Sequence, residues 1–177
     1  MAASNDVGGE ALLWVKATRS RRFELRAGND VVASLEWTGS SIAWARGEWG
    51  ETAYRFNRAG WLRQRVFVRA ESAGGAGSPL ATYVSRTGKL TFADGRTLLW
   101  TKPKRLTNDH IWVDASGGTV ARFSPSRGAT TLTVSPSAAE QPEARLLALL
   151  GQFLLVLAAR DVEDATTAAI VTTIVGA

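Results

Sequence analysis

Between residues 11 and 135 the chain is a succession of short apolar-rich segments cut by turn residues. Strands are predicted over residues 11–18, 23–26, 31–37, 42–46, 52–56 and 61–71. After a Gly/Ala/Ser-rich loop at 72–79 they resume over 80–85, 89–93, 96–101, 111–115, 119–124 and 130–135. Twelve strands at a spacing of roughly 8–12 residues have the rhythm of an antiparallel sandwich or barrel. Asp94-Gly95 is the strongest hairpin signal, because the turn it favours follows the natural twist of paired strands. Within 61–69, Arg63, Arg65 and Arg69 share one face by parity, but Leu62, Phe67 and Val68 break the alternation. A bulge or a two-sided segment is expected there.

The pattern changes after Pro142. A helix is predicted over 143–160, with Pro142 at its first turn, Glu143 at its positive end and Arg160 at its C-terminal end. Apolar residues fall on every side of its wheel, so it belongs inside a core or inside a membrane. The apolar run 146–159 is fourteen residues long and contains Gln152, whereas a span needs about 20. A core helix is the expectation. Eighteen residues rise about 27 Å, comparable with the height of a barrel of short strands. Eight strands make a barrel that its own side chains fill, and a wider one needs a filler. The predicted fold class is therefore mainly β: a closed antiparallel barrel of about twelve strands around a central hydrophobic C-terminal helix. Leu150 and Leu154 are candidate core residues. Gly151 costs about 1 kcal/mol in helix propensity and is expected to admit a bulky barrel side chain, a tryptophan, to the axis. The expected organisation is a flexible N-terminus at 1–10, the barrel domain at 11–161 and a tail at 162–177. For that tail, with Ile170, Val171, Ile174 and Val175, the readings are a last strand, a frayed end or a segment docking on a sheet edge.

Composition removes several kinds of chemistry. The chain has no cysteine, so disulfide scaffolds, thiolate metal sites and thiol catalysis are excluded. His110 is the single histidine; Asp114 would share its strand face, and together they make at most half of a metal site. The bland alternative is a strand-end histidine with a local hydrogen bond. No Gly-x-Ser-x-Gly elbow is present, Gly74-Gly75-Ala76-Gly77 is not closed by Gly-Lys-Ser/Thr, and no dinucleotide fingerprint occurs. Glu48 and Glu51 flank a turn and are the nearest approach to a glycosidase pair, although acidic turn residues are usually solvated. A non-enzymatic protein without cofactor or metal is expected. The start of the chain, with neither a basic nor an apolar leader pattern, leads to a cytoplasmic expectation.

Charge carries the remaining signal. Residues 1–130 hold nineteen Lys/Arg against eleven Asp/Glu, a net +8, while 131–177 hold two against five. Such a surface attracts polyanions. Two clusters stand out: Lys16, Arg19, Arg21 and Arg22 around one strand connection, and Lys102, Lys104 and Arg105 in a loop stiffened by Pro103. Polybasic patches gain roughly 1 kcal/mol per cation at an anionic membrane. The bland alternative is a pair of solubilising loops.

The segment 88–100, Gly-Lys-Leu-Thr-Phe-Ala-Asp-Gly-Arg-Thr-Leu-Leu-Trp, and the closing stretch 149–161 resemble the tubby-like C-terminal superfamily. Its relatives include phospholipid scramblases and LURP-one-related proteins. The resemblance covers about residues 11–161 and rests on strand order and the terminal helix, not on a short motif. The chain departs from scramblases in lacking their Cys-rich segment and Pro-rich arm, and no lipid-contacting residue of the family is carried over. The resemblance implies a peripheral module binding anionic lipid or phosphoinositide headgroups. A protein-interaction or self-assembling domain, using 165–177 and exposed aromatics, is the alternative. Nucleic-acid binding fits the charge but lacks a reading motif.

Overall fold

The computed structural model describes residues 12–18, 21–38, 43–59, 64–71, 77–103, 107–139 and 141–175. Its first six strands are β1 (Leu12–Lys16), β2 (Arg22–Ala27), β3 (Asp30–Trp37), β4 (Trp44–Trp49), β5 (Thr52–Ala59) and β6 (Arg65–Ala70). The next six are β7 (Ala81–Val84), β8 (Lys89–Phe92), β9 (Thr97–Thr101), β10 (His110–Val113), β11 (Thr119–Ser126) and β12 (Ala129–Val134). A short helix, α1 (Pro136–Ala139), leads into α2 (Pro142–Val175). Every strand pairs antiparallel with its sequence neighbours, and β1 pairs with β12, which closes an up-and-down barrel. Among the described residues, closure leaves no sheet edge for another chain to extend. The twelve strands follow the predicted series in order.

Local chemistry sets the turns. At Asp94-Gly95 the Phe92 N–H donates to the Arg96 carbonyl at 2.9 Å, and Gly95 takes a φ of 87° that suits glycine. Gly88 (φ 68°) has a second constraint, because a Cβ there would stand 2.4 Å from the Trp100 carbonyl oxygen. The bulge expected within 61–69 is absent from the described part of that segment: β6 pairs in continuous register with β5 and β7. Val66 and Val68 point inward, while Phe67 shares the outer face with Arg65 and Arg69. The Arg69 guanidinium lies 5.6 Å from the Phe67 ring centre and covers it, so alternation survives with one apolar residue outside. Register shifts occur instead at Leu25/Arg26 and Trp112/Val113.

The inner face of the barrel and α2 form one core. Phe153 stacks between Trp37 of β3, at 5.7 Å, and Phe56 of β5, at 5.3 Å. Trp112 of β10 donates its indole N–H to the Leu147 carbonyl at 3.2 Å. Leu150 is fully buried and Leu154 nearly so. The residue that approaches the helix at Gly151 is Phe123 of β11, not a tryptophan. Its ring packs edge-on against Trp100 at 5.3 Å.

The helix runs to Val175, thirty-four residues in all, and overturns the strand reading of the tail. Residues 161–169 (Asp-Val-Glu-Asp-Ala-Thr-Thr-Ala-Ala) contain neither Gly nor Pro, and extending an existing helix adds a hydrogen bond for each residue fixed. Asp161 is clamped by Arg58 of β5 through bonds of 2.8 and 2.7 Å, and Thr166 Oγ1 donates to the Val162 carbonyl. Arg160 is therefore mid-helix rather than at a C-terminal end. Positions 1–10 lie outside the described residues. Among the described residues no helix is long and apolar enough to cross a membrane.

Candidate functional site

In an up-and-down barrel all odd-to-even connections fall at one end, and all even-to-odd connections at the other. The helix follows β12 and enters at the even-to-odd, or basal, end; it leaves at the opposite, exit end. Among the described connecting residues, the exit end carries Arg21, Arg86, Lys102 and Arg127 against Asp109. The basal end carries Glu51, Glu71, Asp94 and Asp114 against Arg96. The barrel is electrically polar along its axis.

At the exit end a cavity of about 770 Å³ opens between α2 and the ends of β1, β2 and β10–β12. Lys16 and Arg21, both exposed, stand at its mouth with the half-buried Arg160 of α2. Glu163 contributes a carboxylate to the same lining. His110 lines it too, stacked on Trp100 at 5.2 Å, with Nδ1–H donating to the Asn108 carbonyl at 3.0 Å. Burial lowers the His110 pKa below its ordinary value, and the nearby charge of Lys102 lowers it further. The first predicted cluster thus supplies Lys16 and Arg21 to the cavity, while Lys102 of the second lies near His110 of its lining. Arg22 lies instead beside Glu24, at 3.7 Å. Arg19, Lys104 and Arg105 lie outside the described residues.

Three residues of this site were missed by sequence reasoning. Arg160 was assigned to a helix end that lies much further on. Trp14 and Gln152, 1% and 3% exposed, also line the cavity, and neither the Trp14 indole N–H nor the Gln152 Oε1 makes a hydrogen bond within the protein. Gln152 did announce itself as the one polar residue within a fourteen-residue apolar run.

The other sequence candidates are occupied elsewhere. His110 makes the local strand-end hydrogen bond, and Asp114 does not face it: the two bracket β10, and Asp114 is at the basal end. There its carboxylate accepts from Ser116 Oγ at 2.6 Å and from the Ser116 and Gly118 N–H groups, bonds that hold its pKa down. Among the described residues no group of three or more His, Asp or Glu could hold a metal ion. Glu48 is paired with Arg46, which also reaches Glu71 at 2.5 Å, and Arg55 binds the same Glu71 at 2.9 Å. A basal pocket of about 520 Å³ has its cation, Arg96, held by Asp94 at 2.6 Å and Glu143 at 2.5 Å. No protein-family model, curated protein or solved structure matches the chain.

Proposed function

We propose that this domain is a non-enzymatic module that docks on anionic membrane surfaces with the exit end of its barrel, as a cytoplasmic protein peripheral to the membrane. The observation that carries the reading is the convergence of Lys16, Arg21 and Arg160 on one cavity mouth, with Lys102 beside its His110 wall. Clusters at opposite ends could not engage one membrane together. Trp44, an exposed tryptophan at the exit end of β4, is the residue type that sits at the headgroup level. The resemblance to the tubby-like superfamily points to the same ligand class: anionic lipid or phosphoinositide headgroups.

Vesicle flotation tests it. The wild type is expected to float with phosphatidylserine-containing vesicles and not with phosphatidylcholine vesicles. Replacing Lys16, Arg21 and Lys102 by Ser, at about 1 kcal/mol per cation, weakens partitioning on the order of a hundredfold. No flotation of the wild type at physiological salt, or unchanged flotation of the triple variant, would overturn the reading.

One observation favours a second reading, protein docking or self-assembly. Beyond Arg160, α2 continues for about 22 Å, at 1.5 Å per residue, to Val175. On that reading deletion of 165–177 abolishes a partner or an oligomer in sedimentation experiments, and the triple Ser variant retains it.

A further inference from the structure

We infer that α2, beyond the barrel, is a membrane-inserting element: its segment 165–175 enters the hydrocarbon of the single leaflet on which the exit end docks. This rests on the membrane reading and adds to it an apolar component and a depth. The helix leaves the barrel at the end that carries the exposed Lys16, Arg86, Lys102 and Arg127. Among the described residues the two most exposed large hydrophobics are Val162, at 66%, and Trp44, at 47%. Both stand at this same end, one on the emerging helix and one at the start of β4. Cations that meet headgroups, beside apolar side chains that pass below them, are the two halves of an interfacial anchor.

Charge divides the emerging helix sharply. Asp161, Glu163 and Asp164 are its last ionisable residues, and 165–175 (Ala-Thr-Thr-Ala-Ala-Ile-Val-Thr-Thr-Ile-Val) hold none. A helix pairs its own backbone groups, as hydrocarbon requires, and a helical threonine can give its hydroxyl to the carbonyl four residues back. Thr166 does so, donating to the Val162 carbonyl at 2.8 Å. Eleven residues rise about 16 Å, and one leaflet is half of a core about 30 Å thick. The segment is too short to span and long enough for one leaflet. Charge in hydrocarbon is expensive, so insertion stops at Asp164, with Asp161 held at the barrel by Arg58. A second copy docked through the same segment would bring two cation-rich exit ends toward one another, whereas an anionic leaflet meets them with opposite charge.

The chain has no cysteine, so one introduced thiol carries the only label. Ile174→Cys and, at the basal end as control, Val31→Cys are labelled with a nitroxide in the full chain. Relaxation of the label by oxygen and by a water-soluble nickel chelate reports its depth. On phosphatidylcholine vesicles containing phosphatidylserine, the label at 174 should gain oxygen exposure and lose most of its nickel exposure, while the label at 31 stays aqueous. The Val171→Asp/Ile174→Asp variant should partition at least about a hundredfold less, as charges placed in hydrocarbon require. Its melting temperature should not change, because the described core ends at Leu157. Vesicle-bound protein with the label at 174 still open to nickel, or undiminished flotation of the double Asp variant, would overturn the inference and leave the membrane reading standing. Absence of wild-type flotation would overturn both. Spin–spin broadening at 174 without vesicles would assign the segment to a second copy and overturn the inference as well.

Discussion

The ring of Phe123 occupies the space that a side chain on Gly151 would need: a Cβ built there falls 2.2 Å from the ring's tip. Phe123 is fully buried and packs edge-on against Trp100. Gly151→Ala should therefore destabilise the protein, although alanine is the better helix former by about 1 kcal/mol. Overpacking costs about 1–3 kcal/mol, and a contact this close places the net loss toward the upper part of that range. Urea denaturation measures it. In the double variant with Phe123→Leu the two losses should be clearly less than additive, because the smaller side chain vacates the contested space.

Leu150 tests the central helix itself. It is fully buried in the hydrophobic core that α2 shares with the strands. Leu150→Asp should prevent cooperative folding, since an unpaired buried carboxylate is far more costly than the whole margin of a typical domain. A soluble variant with an intact melting transition would contradict the arrangement. Leu150→Met is the control and should lose less than about 1.5 kcal/mol.

What was legible in the chain, and what was not, follows from which interactions are local. Strand alternation and turn residues such as Asp94-Gly95 act over a few positions, so the twelve strands could be read directly. The all-round apolar surface of 143–160 required a core to receive it. The tail was misread because Ile170, Val171, Ile174 and Val175 favour strands locally, whereas their conformation is inherited from a helix nucleated inside the barrel. The basic clusters were visible as clusters. That Lys16, Arg21 and Lys102 stand at one end was also within reach, since β1–β2 and β9–β10 are both odd-to-even connections. That Trp14 and Gln152 line the same cavity was not: a strand residue and a helix residue 138 positions apart share it only after the helix takes its depth in the barrel.

The bidentate bond between Arg58 and Asp161 fastens α2 where it leaves the barrel. Arg58 is largely buried at 13% exposure and Asp161 is 48% exposed, so on loss of the arginine the carboxylate can rehydrate in place. Arg58→Ala should therefore cost only about 1 kcal/mol globally, near the upper end for surface pairs. Its larger effect should be local. Amide exchange of residues 161–166 should accelerate in the variant, while that of 146–157, locked in the core, should track global unfolding. Equal acceleration in both stretches would mean that Arg58 holds the barrel rather than the helix exit.

His110 offers a direct reading of the exit-end field, because as the only histidine its ring gives one unambiguous proton resonance. Burial is the larger cause of its lowered pKa and Lys102 the second. In the wild type the NMR midpoint should fall below the ordinary histidine value of about 6.5. Lys102→Ser should move it upward but leave it below that value, since burial by Trp100 and the cavity wall remains. The sign for stability follows from proton counting. The unfolded chain binds the proton at a higher pH than the folded one, so the contribution of neutral His110 is intact above about pH 6.5 and is lost as pH falls toward the folded pKa. Lys102→Ser should narrow that window and so lessen the acid sensitivity of the melting temperature between neutral pH and about pH 5. A midpoint that does not respond to Lys102→Ser would separate the second basic cluster from the cavity wall, and with it the convergence on which the membrane reading rests.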